Sequence, residues 1–272
     1  MKSAARLVSM LVVAAACAAA LIAQETKEVY QGQAPETFLK QAKISRITEI
    51  PNGVTQPWRV TLELDGLTRQ AAFKNIDIDR PGATQLSDGS FEVAFQDSWR
   101  TEIAAYEIDK LIGLGMVPAT VERSIRGKLG SLQWWVESMM PEAERRAKGL
   151  SAPDMDRWNK TVYKMRLFDE LIYNVDRHLN NILVTDDFDL RLIDHSRAFR
   201  PFDELRTPEE LTMFSRQLLA GLETLEFDPL KKQLRKYLRD GQIRAMLKRR
   251  DAILALVKER VAREGEAAVL YD

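Results

Sequence analysis

Residues 173–199, YNVDRHLNNILVTDDFDLRLIDHSRAF, set the tightest limit on what this chain can fold into. Both histidines of the protein, His178 and His195, lie there, among polar residues bounded by short apolar runs. Residues 181–184 (NILV) and 190–193 (LRLI) have the length and character of buried strands. Residues 185–189 (TDDFD) between them have the polar character of a hairpin connection. An in-register hairpin places Asn181 opposite Asp194, with Asp176 and His178 in the loop just before it. Oxygen ligands converging at one end of a ribbon suit a hard cation such as Mg²⁺, which also takes oxygens from substrate phosphates. That is a layout for phosphoryl transfer, where positioning and charge neutralisation supply most of the catalysis. The competing reading is a polar hairpin in an unrelated fold, its histidines on the surface or bonded within the core.

Asp176-Arg177-His178-Leu179-Asn180-Asn181, followed by Leu192-Ile193-Asp194, resembles the D-R-H-x-x-N catalytic loop and I-D metal motif of phosphoinositide-kinase-like enzymes. Residues 192–199 (LIDHSRAF) and 101–123 (TEIAAYEIDKLIGLGMVPATVER) are similar to secretory-pathway protein kinases of the Golgi casein kinase type. The usual H-R-D order and the D-F-G triplet are absent, so the resemblance implies an atypical kinase. Its implied fold is α+β and bilobal, protein-kinase-like, with a β-rich N-lobe and an α-helical C-lobe.

The rest of the chain is compatible with that order. Residues 44–50, 58–64 and 68–78 are alternating runs separated by Asn52-Gly53 and Asp65-Gly66, an antiparallel meander. Lys74 falls on the third run, where the resemblance implies the lysine that grips nucleotide phosphates; a solvated strand lysine is the alternative. No G-x-G-x-x-G loop is present, which leaves backbone N–H groups of the turn at 49–55 as the phosphate cover. Residues 77–97 read as a Pro/Gly/Ser-containing connection with one short strand near 91–95. A helix follows, capped by Ser98, ended by Gly113 and carrying an apolar stripe at helical spacing. The resemblance makes Glu102 the partner of Lys74. Glu107 competes for that place, and any first-turn acid also complements a helix N-terminus.

Residues 117–137 return to strand texture, with Trp134 and Trp135 as core and adenine-pocket wall before a lobe boundary near 138–142. Residues 141–156 read as loop, and 155–173 as a helix feeding the motif loop. After Phe199 the chain reads as helical to its end, with Thr207-Pro208 marking a helix start. Residues 229–264 form one or two helices broken near Asp240-Gly241. Their basic face, including Lys231, Lys232, Arg235, Lys236, Lys248, Arg249 and Arg250, suits a membrane surface or plain solvent.

Composition narrows the class. The chain has 272 residues, 45% hydrophobic and 29% charged, with zero formal net charge, which excludes disorder and gives no expectation of a nucleic-acid partner. Two histidines and one cysteine exclude a thiol- or His-rich metal site. Lys2 and Arg6 precede an uncharged run over 7–23, an export signal, with an uncleaved anchor as the alternative. The expected organisation is therefore signal peptide 1–23, lead-in 24–43, N-lobe 44–140 and C-lobe 141–272.

The reading that follows is an exported atypical kinase, periplasmic or secreted, that moves the γ-phosphate of ATP to a hydroxyl acceptor with Mg²⁺ or Mn²⁺. By resemblance, Lys74 contacts the phosphates and Glu102 holds it. Asn181 and Asp194 bind the metal, and Asp176 serves as base or orients the acceptor. His178 holds the loop or stabilises transferring charge, and Arg177 is structural. Two rivals stand beside it: a kinase-fold binding module without turnover, and a lipid kinase using the basic helices at a membrane.

Overall fold

In the computed structural model, which describes residues 29–50, 57–86 and 89–272, helix α1 (Gln33–Gln41) precedes the meander. The lead-in expected at 24–43 to carry little structure thus contains a packed helix. Pro35, Phe38 and Leu39 are buried on one face, and the Phe38 ring meets Trp134 edge-on at 5.6 Å. Nine residues give too few turns for periodicity to announce such a helix.

Strands β1 (Lys43–Glu49), β2 (Trp58–Leu64) and β3 (Leu67–Lys74) pair antiparallel. Asp65 and Gly66 take φ of 50° and 77°, the turn whose twist matches the strands it joins. Val60, Leu62, Ala71 and Phe73 fill the buried face.

The chain then leaves the sheet as a separate two-stranded ribbon, β4 (Asp77–Gln85) and β5 (Phe91–Ser98). This corrects the connection expected over 77–97. Pro81 and Gly82 fall where the ladder shifts register between Arg80 and Ala83, so the breakers occupy an irregularity inside a strand. The ribbon packs on the segment after Asp194, where Arg197 and Arg200 both pair with Glu92 and Arg200 also donates to the Ala94 carbonyl.

Helix α2 (Trp99–Ile112) follows at once. Ser98 Oγ accepts the Arg100 N–H at 3.1 Å, and Gly113 ends the helix at φ 69°, a left-handed position that favours glycine. Strands β6 (Thr120–Ile125) and β7 (Lys128–Trp134) complete a five-stranded sheet in the order β1-β2-β3-β7-β6, with α2 packed against its last two strands.

Strand β8 (Met140–Pro141) leads into α3 (Glu142–Ala147), a short helix where loop was expected. Its buried Glu142 pairs with Arg145 and Arg146 at helical spacing. Helix α4 (Met155–Leu171) starts at Asp154, whose carboxylate accepts the Arg157 N–H at 3.0 Å. The hairpin β9 (Ile182–Val184) and β10 (Leu190–Leu192) comes next, then β11 (Phe214–Ser215), α5 (Arg216–Glu223), α6 (Phe227–Leu234), α7 (Asp240–Glu264), α8 (Glu266–Val269) and β12 (Leu270–Tyr271).

The helix start expected at Thr207 is a single 3₁₀ turn, Pro208–Glu210. Thr207 is engaged elsewhere: its hydroxyl donates to Glu170 Oε1 at 2.6 Å, which leaves no cap for a longer helix. The basic C-terminal face is largely tied down as well. Lys231 pairs with Asp240, Lys248 with Asp203 and Arg250 with Asp251, while Arg249 is buried against backbone carbonyls. The break falls before Asp240, which opens α7. No helix among the described residues is long and apolar enough to cross a membrane, and the expected export signal lies outside them.

Candidate active site

The β9–β10 hairpin fixes the register of the motif residues. Ile182 faces Leu192 and Val184 faces Leu190, and the Thr185 N–H donates to the Asp189 carbonyl at 2.9 Å. Residues 186–188 therefore form a three-residue turn, with Phe188 at φ 58°. Asn181 falls opposite Ile193, whose N–H donates to the Asn181 carbonyl at 3.1 Å. The expected Asn181–Asp194 pairing is one residue out, since Val184 facing Leu190 already puts position 181 opposite 193. Asp194 lies just past the ladder at φ 58°.

Strand β3, the first turn of α2 and the end of β10 meet at one cation. Lys74 Nζ donates to Glu102 Oε1 at 2.6 Å and to Asp194 Oδ1 at 2.7 Å. Burial opposes the ammonium charge, but Asp194 and Glu102 outweigh it and hold the lysine above its ordinary range. Glu102, with 3% of its side chain exposed, keeps both oxygens occupied: Oε2 accepts the His195 backbone N–H at 2.9 Å. Burial works against its charge too, and Lys74 with the His195 contacts holds the carboxyl well below the usual carboxylate range. Glu107, the competing partner, reaches Lys110 and Gln233 instead.

The loop before the hairpin is wound on the Asp176 carbonyl, which accepts the His178 N–H at 2.9 Å and Asn181 Nδ2 at 3.0 Å. Asn174 Oδ1 accepts the Asp176 N–H at 3.1 Å. Arg177 does the holding that His178 was expected to share. Its guanidinium spans Asp169 on α4, the carbonyls of Asn181 and Ile193, and His195 Nε2 at 2.8 Å. His178 is exposed, and its ring makes no hydrogen bond among the described residues. His195 is fully buried, and burial is the main cause that pushes its pKa down. Asp169 carries part of this geometry without any motif to mark it, while Ser196 and the backbone of His195 lie in the 192–199 stretch without an expected role.

Between the lobes lies a cavity of about 320 Å³ lined by Ala72 of β3, residues 133–138, Leu183 and Ile193, the neighbour of Asp194. Its volume and mixed lining suit a small planar ligand. Trp135 belongs to this wall and Trp134 to the core as well. A larger cavity of about 680 Å³ between α1 and the start of β3 shares Trp134, Trp135 and Glu137 with this one but contains none of Lys74, Glu102 or Asp194. Of the turn at 49–55 expected to cover the phosphates, residues 51–55 lie outside the described residues.

The donors fit a divalent cation bound through oxygen. Lys74 and Ser196 reach Asp194 Oδ1, and among the described residues no donor reaches Oδ2. Asn181 gives its amide N–H to the loop and keeps its carbonyl oxygen. No group of three or more His, Cys, Asp or Glu among the described residues is placed to hold a metal ion. Mg²⁺ and Mn²⁺ do not need such a group, since water and phosphate supply the remaining oxygens.

Compared by sequence, the chain matches no protein-family model and no curated protein. Compared by structure, it is similar to a hydra Fam20 solved with sugar, at 14% identity and a TM-score of 0.64, over 87% of this chain and 90% of that one. The Helicobacter pylori proinflammatory kinase CtkA matches at 11% identity and a TM-score of 0.49, over 81% and 98%. The fold is therefore similar to that of Fam20, kinase-like, with a β-rich N-terminal region and a helical C-terminal one.

Proposed function

We propose that the protein is an exported atypical kinase that transfers the γ-phosphate of ATP to a hydroxyl-bearing acceptor, a protein or glycan rather than a lipid. The observation that carries this reading is Lys74 held at hydrogen-bond distance from both Glu102 and Asp194, beside a cavity of nucleotide size. The Lys74 ammonium meets the phosphates and lowers the cost of bringing them to the Asp194 carboxylate. Asp194 and Asn181 hold Mg²⁺ or Mn²⁺, which neutralises phosphate charge when bound. Asp176 orients the acceptor hydroxyl or takes its proton, from a loop fixed by Arg177. Export rests on the residues 1–23 and on the fold. The pairing of much of the basic C-terminal face within the protein favours a soluble acceptor over a membrane one.

The test is ADP formation from ATP by the purified protein with Mn²⁺ or Mg²⁺, alone and with casein or glycan acceptors. Turnover by wild type, lost in a folded Asp176→Asn variant, supports the reading. Turnover undiminished in that variant removes Asp176 from its role. Nucleotide binding without any ADP formation favours the binding module.

A further inference from the structure

One carboxylate near the site has no use in the reading above. Asp97, at the end of β5, has its Oδ1 buried without a hydrogen-bond partner. A buried, unpaired carboxylate oxygen is costly and calls for a compensating positive charge.

Its surroundings say where that charge belongs. The N–H of the next residue, Ser98, donates to the Ser196 carbonyl at 2.9 Å, which stitches β5 to the chain just past Asp194. The Ser196 hydroxyl bonds Asp194 Oδ1 at 3.2 Å and also supports Asp97. A hydroxyl has a single proton, so it donates to one of these carboxylates at a time. Burial pushes the Asp97 carboxyl up; the Asp194 and Glu102 charges push the same way, and Lys74 only partly offsets them.

The local charge count makes the deficit explicit. Glu102 and Asp194 hold the ammonium of Lys74, and Asp97 lies within electrostatic reach of all three, so three carboxylates stand against one ammonium. Glu102 has spent both oxygens on Lys74 and on the His195 N–H. Asp97 Oδ1 and Asp194 Oδ2 are the oxygens left, and one divalent cation balances the set.

We propose that Asp97 is a second carboxylate of the cation site, which with Asp194 takes the divalent cation that accompanies the nucleotide phosphates. This rests on the nucleotide-binding reading of the cleft. The remaining ligands are phosphate oxygens and water, consistent with the lack of any group of three or more His, Cys, Asp or Glu placed to hold a metal ion among the described residues. Asp97 enters from the ribbon inserted before α2, so the ribbon serves the site as well as bracing it.

The experiment is Mn²⁺ titration of the purified protein in the presence of the non-hydrolysable nucleotide AMP-PNP, followed by Mn²⁺ electron paramagnetic resonance. Wild type, Asp97→Asn and the smaller Asp97→Ser are compared, each melted with and without Mn²⁺ and AMP-PNP. The expected result is Mn²⁺ affinity lower by about tenfold or more in both variants. Asp97→Asn should melt no lower than wild type without metal, and gain less on adding Mn²⁺. Unchanged Mn²⁺ affinity and stoichiometry in either folded variant overturns the role of Asp97 alone. Absence of Mn²⁺-dependent AMP-PNP binding in wild type overturns the nucleotide site and this inference together.

Discussion

Glu102 accepts the backbone N–H of His195 at 2.9 Å with one oxygen and holds Lys74 at 2.6 Å with the other. One buried carboxylate thereby ties the third strand, the helix after the ribbon and the chain leaving Asp194. The lysine cannot shift without disturbing the backbone next to Asp194.

Removing that carboxylate is therefore expected to cost both stability and ligand binding. Glu102→Ala leaves the Lys74 ammonium beside a partly exposed Asp194 only, and strands the His195 N–H in a buried site. A loss of about 3–5 kcal/mol is predicted, the range for breaking a buried pair. Urea unfolding measures it, and nucleotide titration should show weakened binding in parallel. Wild-type stability in the variant would mean the pair contributes nothing net.

Arg177→Lys should separate positioning from packing. The guanidinium holds Asp169, two carbonyls and His195 from one planar group, and an ammonium cannot reproduce that fork. With Asp176 one residue away, kcat should fall, by up to about a hundredfold for a misplacement near 1 Å. KM for nucleotide should change little, since Lys74 and Asp194 are retained. An equal change in both parameters would point to a general loss of structure.

Gly130→Ala probes the strand that carries the lysine. A Cβ there would lie 2.2 Å from the Lys74 carbonyl oxygen and 2.8 Å from the Phe73 ring, too close for either to remain in place. A destabilisation of about 1–3 kcal/mol is predicted, accompanied by weaker nucleotide binding as Lys74 moves. Thermal melts and nucleotide titration of the same preparation decide it; a variant as stable as wild type would contradict the packing described here.

Helix α1 should give the fold an acid-sensitive seam. Glu36 accepts from Lys110 at 2.8 Å and from Tyr106 at 2.9 Å, both on α2. Burial opposes its charge, but these donors hold its carboxyl below the ordinary value. A depressed carboxylate contributes its full stabilisation above the unfolded pKa of about 4.3 and loses it as pH falls through the lower folded value. Lys110, itself raised, stays charged throughout that window. Urea midpoints should fall over it in wild type and fall less steeply in Glu36→Gln; identical slopes would remove Glu36 as a contributor.

Much of the fold could be read directly, and the reasons are physical. Asp65-Gly66 named its turn, Ser98 and Gly113 named the ends of α2, and the apolar alternation named β1 to β3. Local chemistry sufficed at each. The strand near 91–95 was expected, but its partner over 77–85 was missed because Pro81 and Gly82 look like loop breakers and sit inside a strand at a register shift. Helix α1 was missed because its stability comes from Phe38 and Leu39 packing on the sheet, a tertiary effect. The resemblance placed Lys74, Glu102 and Asp194 at one site, and the strand bounds 181–184 and 190–193 already imply the observed register, with Asn181 opposite Ile193. Asp97 carries no signal at all. Only its buried, unpartnered oxygen distinguishes it from other strand acids.

The most direct test of the account is calorimetric titration of ATP into the purified protein with Mn²⁺ or Mg²⁺, for wild type and Asp194→Ala. Metal-dependent binding by wild type, abolished in a folded Asp194→Ala variant, is predicted. Absence of binding by well-folded wild type with either metal, or equal binding by the variant, would contradict it.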